Sequence, residues 1–291
     1  MMKAIIRHPR RTGAGDGLLL RTFSAVVGVP VILAVLWLGG IAFALGTGAV
    51  MAVAMAEMQG ALMPQGIRWG PLVWPRHPLA WMGIVLMGLM VAGAYHGGKW
   101  WMGAASLAFV LPLLASLPRP KLKEALGEWA LVAAATAYIG ILGSHLVALR
   151  QGPNGMDWTM VAIFGAFATD TSAYLVGRAV GKNRLVPHLS PGKTWEGTLG
   201  GMALGAGGVL LLNWATGLRL GASQIGPLAF FLPLAAVLGD LVESFIKRGA
   251  GVKDTSALVP GHGGFLDRLD SIFFTVPLVY YWRFKVMGWQ G

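Results

Sequence analysis

Four polar residues interrupt an otherwise apolar run late in the chain: Asp240, Glu243, Ser244 and Lys247. Spaced i, i+3, i+4 and i+7, they fall on one face of one helix. An ionised carboxylate at the bilayer centre costs about 2.5–3.5 kcal/mol on insertion scales, so such a stripe faces a wet site or a paired interior. A Lys–carboxylate pairing that only packs a helix bundle is the plainer alternative. A second acid lies deep in an earlier run, in Thr169-Asp170-Thr171-Ser172-Ala173-Tyr174, followed by Gly177 and Arg178. A basic segment then ends in Ser190-Pro191-Gly192-Lys193-Thr194-Trp195-Glu196-Gly197. Ser190 reads as a helix N-cap and Pro191 as the first helical position. Free N–H groups beside Lys193 would make an anion site there. Gly192-Lys193-Thr194 suggests a phosphate-binding P-loop, but that motif needs glycine where this chain has Pro187, and no strand is expected ahead of it.

The densest polar stretch comes last: Lys247-Arg248, Lys253-Asp254, Pro260-Gly261-His262-Gly263-Gly264 and Asp267-Arg268-Leu269-Asp270. Asp267 and Asp270 stand one helical turn apart, where acids also suit a helix dipole. With Asp240 they offer oxygen donors suited to a hard divalent cation, and Mg²⁺ bridging a polyphosphate is the natural candidate. His262 is either a site residue or a turn residue, and a lone histidine is not read as a metal ligand. Carboxylates for Mg²⁺ beside Lys and Arg for phosphates are the equipment of phosphoryl or nucleotidyl transfer. A site opening at the membrane surface makes a lipid the natural second substrate.

The elements that position these residues are membrane helices. The 291 residues are 55% hydrophobic and only 12% charged, against about 25% charged in ordinary soluble domains. Mean hydropathy is +0.64. There is no cysteine, which excludes disulfides, thiolate metal sites and cysteine nucleophiles. The runs are continuously apolar rather than alternating, so helices are expected and a β-barrel is not. The expected fold is an all-α polytopic membrane protein with nine spans, near 19–39, 41–62, 79–96, 100–117, 128–149, 157–178, 195–216, 226–247 and 269–287. Gly39 and Gly40 leave the first two spans joined as a tight helical hairpin. With the N-terminus cytoplasmic, inside segments hold eighteen Lys and Arg and outside segments five, as the positive-inside rule requires. That rule also accounts for the net charge of +11 without nucleic acid.

Three segments follow: a basic cytoplasmic arm over 1–17, N-terminal helices over 18–156 and a catalytic region over 157–291. Before Asp157, Glu57 is the one acid in a span. Seven of the twelve acids fall after it: Asp170, Glu196, Asp240, Glu243, Asp254, Asp267 and Asp270.

The run from Ser244 through Lys247-Arg248, Lys253-Asp254 and Pro260-Gly261-His262-Gly263-Gly264 to Asp267-Arg268-Leu269-Asp270 closely resembles the signature of the phosphatidate cytidylyltransferases, the CDP-diacylglycerol synthases. Asp170 to Tyr174, Gly177-Arg178 and Ser190 to Gly197 are similar to that family too. Val259 and Gly192 are mild departures, Gly192 standing where lysine is common. The resemblance implies transfer of CMP from CTP to phosphatidic acid, giving CDP-diacylglycerol and pyrophosphate, with Mg²⁺ and a second cation, K⁺ or Mg²⁺. It implies Asp240 and Asp267 as metal ligands, and Asp170, Asp254 and Asp270 as further metal or nucleotide contacts. Lys193, Lys247, Arg248, Lys253 and Arg268 would neutralise phosphates. Ser190 and Ser244 would donate hydrogen bonds, and Tyr174, Arg178, Thr194, Glu196 and His262 complete the candidate set. The expected partners are CTP, phosphatidic acid and the bilayer of a bacterial inner membrane, with the site facing the cytoplasm and a homodimer left open. A CTP-dependent polyprenol or phytol kinase and a CDP-archaeol synthase are the near rivals. An ion or proton transporter using Asp170, Asp240 and Glu243 is the distant one, and it is disfavoured because the intramembrane acids crowd into one half of the chain.

Overall fold

The computed structural model describes residues 28, 30–63, 67–69, 72–74, 77–256, 258 and 264–287. Helices dominate it. Helix α1 covers 30–38 and α2 covers Gly40–Leu62. Between them Gly39 and Gly40 take φ of 60° and 52°, the left-handed region that glycine enters without penalty. The chain reverses there, and Gly46 comes to rest against the Val35 side chain. Two short strands, β1 (Ile67–Trp69) and β2 (Leu72–Trp74), pair antiparallel. Helices α3 (Pro78–His96) and α4 (Gly98–Ser116) follow. Next, α5 (Leu122–Ala135) runs through a π-helical segment, Thr136–Ile141, into α6 (Leu142–Gln151). The C-terminal region holds α7 (Gly155–Val180), a hairpin of β3 (Arg184–Val186) and β4 (Ser190–Thr194), and α8 (Trp195–Ala215). It ends with α9 (Ala222–Gly249), the short α10 (Leu266–Leu269) and α11 (Ile272–Met287).

Among the described residues seven helices are long and apolar enough to cross a membrane, the α5–α6 run counting as one. The chain is therefore a multi-pass membrane protein. The first part of the first expected span, residues 19–27, lies outside the described residues, and its second half carries α1. The ninth corresponds to α11, whose 16 residues reach about 24 Å at 1.5 Å each, short of a hydrocarbon core of about 30 Å. Trp100, Phe109 and Leu114 on α4 and Leu204, Leu211 and Trp214 on α8 are exposed. Such apolar faces suit lipid rather than water.

Two apolar clusters hold the bundle. One gathers Met51, Met55, Met87, Ile139 and Phe273, and the other Trp158, Val161, Leu228, Leu232 and Val276. Phe273 and Val276 both belong to α11, so this short helix joins the N-terminal and C-terminal groups.

Two sequence expectations fail at the 184–197 segment. Ser190 is not an N-cap and Pro191 does not open a helix: both are extended residues of β4, which pairs with β3 through Val186↔Ser190 and Arg184↔Thr194. The cap is Thr194, whose hydroxyl accepts from the Gly197 N–H at 3.1 Å. Ser-Pro is a good local cap signal, but the antiparallel pairing engages that backbone first. A strand does precede Gly192-Lys193-Thr194, contrary to expectation. Those three residues are themselves strand, however, and do not form the open cradle of a P-loop. Among the described residues the chain is helical, as expected, with two small β-hairpins added.

Candidate active site

Helix α8 approaches α7 through a stripe of small residues. A Cβ on Gly197 would lie 2.8 Å from the Ala173 carbonyl oxygen, and on Gly201 2.5 Å from the Ala173 Cβ. Gly205 abuts the Thr169 hydroxyl in the same way. Small residues every fourth position let membrane helices make backbone contact. The approach sets the β3–β4 hairpin, and Lys193 with it, beside the inner part of α7 that carries Asp170. A comparable contact at Gly239 of α9, where a Cβ would meet the Asp270 carbonyl oxygen at 2.5 Å, brings the α10–α11 junction against the polar stripe.

Oxygens of Asp240, Glu243 and Asp270 consequently lie within 4.8 Å of one another. Lys193 Nζ stands 2.5 Å from Asp240 Oδ2. Lys247 Nζ lies between two carboxylates, 2.6 Å from Glu243 Oε2 and 2.8 Å from Asp267 Oδ1. Glu243 is fully buried and the Asp267 side chain is 8% exposed, so neither charge is well hydrated and the shared ammonium stabilises both. Asp267 Oδ2 also accepts from the Gly264 N–H at 2.8 Å. Burial alone would raise the Asp267 carboxyl, but the Lys247 ammonium and the Gly264 N–H together hold it below the ordinary carboxylate range. Asp170 accepts from the Ser271 hydroxyl at 2.8 Å, and the Ser271 N–H donates to Asp270 Oδ1 at 2.6 Å. Asp170 and Asp270 feel the charge of Asp240 and of Lys193.

Asp170, Lys193, Asp240, Lys247, Asp267 and Asp270 are thus brought together from four stretches of chain. Ser244 is buried on the same helix. Arg268 on α10 acts electrostatically on Asp170. Arg248 instead ties α9 to the hairpin, donating to the Leu189 carbonyl at 3.0 Å and the Val252 carbonyl at 3.3 Å. Glu196 accepts from the Lys182 and Asn183 N–H groups and from the Asn183 side chain, holding the turn before β3. Thr194 caps α8. Arg178 and Tyr174 are exposed on α7 and contact each other at 3.4 Å, while Lys253 and Asp254 are exposed beyond α9. Ser190 opens β4. His262 lies outside the described residues.

Two residues absent from the sequence-derived set belong to this region. Glu57 of α2, 1% exposed, accepts hydrogen bonds from both sides of the 255–266 segment. As an acid deep inside an apolar N-terminal span it carried a signal by type alone. Tyr138 lies on the π-helical segment, its hydroxyl shielded from solvent and without a hydrogen-bond partner among the described residues. It is within electrostatic reach of Asp270, Glu243 and Asp240. π-Helical turns are frequent at functional sites, but no residue pattern here announced one.

Known proteins are similar to this chain in sequence. A phosphatidate cytidylyltransferase of Staphylococcus haemolyticus is 30% identical over 260 residues, covering 89% of this chain and 96% of its own. That of Staphylococcus aureus strain COL is 28% identical over the same shares. One from Haemophilus influenzae is 38% identical over 153 residues, 51% of this chain and 53% of its own. The pattern of the cytidylyltransferase family matches residues 19–285, from the first expected span through α11. The chain belongs to the cytidylyltransferase family and is a nucleotidyltransferase.

Proposed function

We propose that this protein transfers CMP from CTP to phosphatidic acid in a bacterial inner membrane, giving CDP-diacylglycerol and pyrophosphate, with its site on the cytoplasmic side. The observation that carries the reading is the meeting of Lys193, Lys247, Asp170, Asp240, Asp267 and Asp270 in one cluster. Relatives named for phosphatidate support the lipid substrate. The donor set fits Mg²⁺, because every candidate ligand is a carboxylate oxygen and oxygens of Asp240, Glu243 and Asp270 converge within 4.8 Å, with Asp267 joined to Glu243 through Lys247. Asp240, Asp267 and Asp270 would hold it. When bound, the ion would neutralise charge building up on the transferred phosphoryl group.

The chain's own residues do the rest. A phosphate oxygen of phosphatidic acid attacks the α-phosphorus of CTP, and the bond to the β-phosphate oxygen breaks to release pyrophosphate. The attacking oxygen is already anionic, so no strong general base is required. Lys193, Lys247 and Arg268 offset the charge of two phosphorylated substrates, and positioning with electrostatic stabilisation supplies the acceleration. Glu243 keeps the Lys247 ammonium in place between it and Asp267.

The test is pyrophosphate release by purified protein in lipid, with CTP, phosphatidic acid and Mg²⁺ each omitted in turn, beside Asp240→Asn and Asp267→Asn. Release that needs all three additions and is lost in both folded variants is expected. Release without lipid, or undiminished in both variants, overturns the proposal.

A further inference from the structure

We infer that Glu57 is a positioning residue that links the N-terminal helices to Asp267. The inference rests on the site reading above and adds a residue to it. Glu57 sits inside α2 and is 1% exposed. A carboxylate in such a place needs donors or a cation. No lysine, arginine or histidine among the described residues pairs with it. Instead its two oxygens gather donors from one distant segment. Oε1 accepts from the Ser256 hydroxyl at 2.5 Å and the Phe265 N–H at 3.1 Å. Oε2 accepts from the Leu266 N–H at 2.8 Å, with the Thr255 hydroxyl 3.4 Å away.

These donors flank the 257–264 stretch on both sides, so a single carboxylate ties residues 255–256 to residues 265–266. The fit is close: a Cβ on Gly264 would lie 2.7 Å from Glu57 Oε2 and 2.4 Å from the Thr255 hydroxyl. The connection reaches the reacting cluster by two short paths. Asp267 follows Leu266 directly, and its Oδ1 is the oxygen that meets Lys247. Thr255 Oγ1 also lies 3.4 Å from Asp267 Oδ2 as well as from Glu57 Oε2. An acid whose only task was packing would be replaceable by any hydrogen-bonding group of its size. Glu57 accepts on both oxygens, and an amide cannot, because its nitrogen would face a donor. The charge-bearing form therefore holds Asp267 in register with Lys247.

The experiment compares Glu57→Gln, Glu57→Asp, Ser256→Ala and Asp267→Asn with the parent in lipid nanodiscs. It reads thermal unfolding, hydrogen exchange of peptides covering 264–271, and kcat and KM for CTP. Glu57→Gln is expected to unfold cooperatively, with exchange over 264–271 faster by about tenfold. Its kcat should fall on the order of 10–100-fold, the usual effect of losing a group that orients a site residue, while KM for CTP stays within about twofold. Glu57→Asp should recover part of that loss. If Glu57→Gln does not fold, Ser256→Ala removes a single donor and should lower kcat about fivefold. Glu57→Gln with parental kcat and parental exchange, beside an inactive Asp267→Asn, overturns the inference and leaves the site reading standing. So does an unaffected Ser256→Ala if Glu57→Gln does not fold. An active Asp267→Asn overturns the site reading first, and this inference with it.

Discussion

Lys247 is where the charge balance of the cluster turns. Its ammonium lies within 2.8 Å of both Glu243 and Asp267, and its side chain is only 14% exposed. Lys247→Met would leave two poorly hydrated carboxylates facing each other. Removing one partner of a buried pair costs about 3–5 kcal/mol, so a clear fall in unfolding temperature is expected together with loss of turnover. Adding Glu243→Gln should restore most of the stability and none of the turnover, which unfolding and pyrophosphate release measured on the same samples will separate. Lys193 differs, because it and Asp240 are more open, at 21% and 31% side-chain exposure. Lys193→Ala should barely change unfolding and should raise KM for CTP about tenfold, the scale of one charge-assisted hydrogen bond. The stripe from Asp240 to Lys247 was legible because helical spacing is local. Asp267 stood out by type beside Asp270 as a candidate cation ligand, but its bond to Lys247, twenty positions away, was not legible. Glu57 was visible as an anomaly, but its partners lie about 200 residues away and no pattern in the sequence points to them.

The elements place these residues by close approach. Gly197, Gly201 and Gly205 form the face of α8 that lies on α7. Gly201→Ala would force its methyl against Ala173, and overpacking of this kind costs about 1–3 kcal/mol. It should lower both unfolding temperature and turnover, because Lys193 moves with α8. Gly207→Ala, where a Cβ meets nothing within 4 Å, should be neutral or slightly stabilising in the same assay. Helix type and approximate extent followed from apolar runs of membrane length. The hairpin did not, since its strands are three and five residues long, too short for alternation to stand out. Its neighbouring Ser190-Pro191 imitated a helix start, while the true cap, Thr194, was read only as part of the phosphate-binding segment. The π-helical turn at Thr136–Ile141 is likewise invisible, because a single inserted residue leaves the apolar composition unchanged.

At the scale of the whole molecule, the proposed orientation follows from the eighteen-to-five bias of basic residues. The chain contains no cysteine, so single cysteines can report sidedness without background. Gly192→Cys, at an exposed position with open space around it, should react with a membrane-impermeant maleimide only in inverted vesicles. Ser223→Cys, exposed at the start of α9, should react only in right-side-out ones. The reverse pattern would put the cluster on the outer face, away from CTP. The central claim is the bond that is broken, and isotope position decides it most directly. Purified protein in phosphatidic acid vesicles is given CTP labelled with ³²P at either the α- or the γ-phosphate, and the lipid is extracted. The account predicts label in the lipid from α-labelled CTP alone, with γ-label recovered as pyrophosphate. Label entering lipid from the γ-position would mean phosphoryl transfer by a kinase and would contradict it.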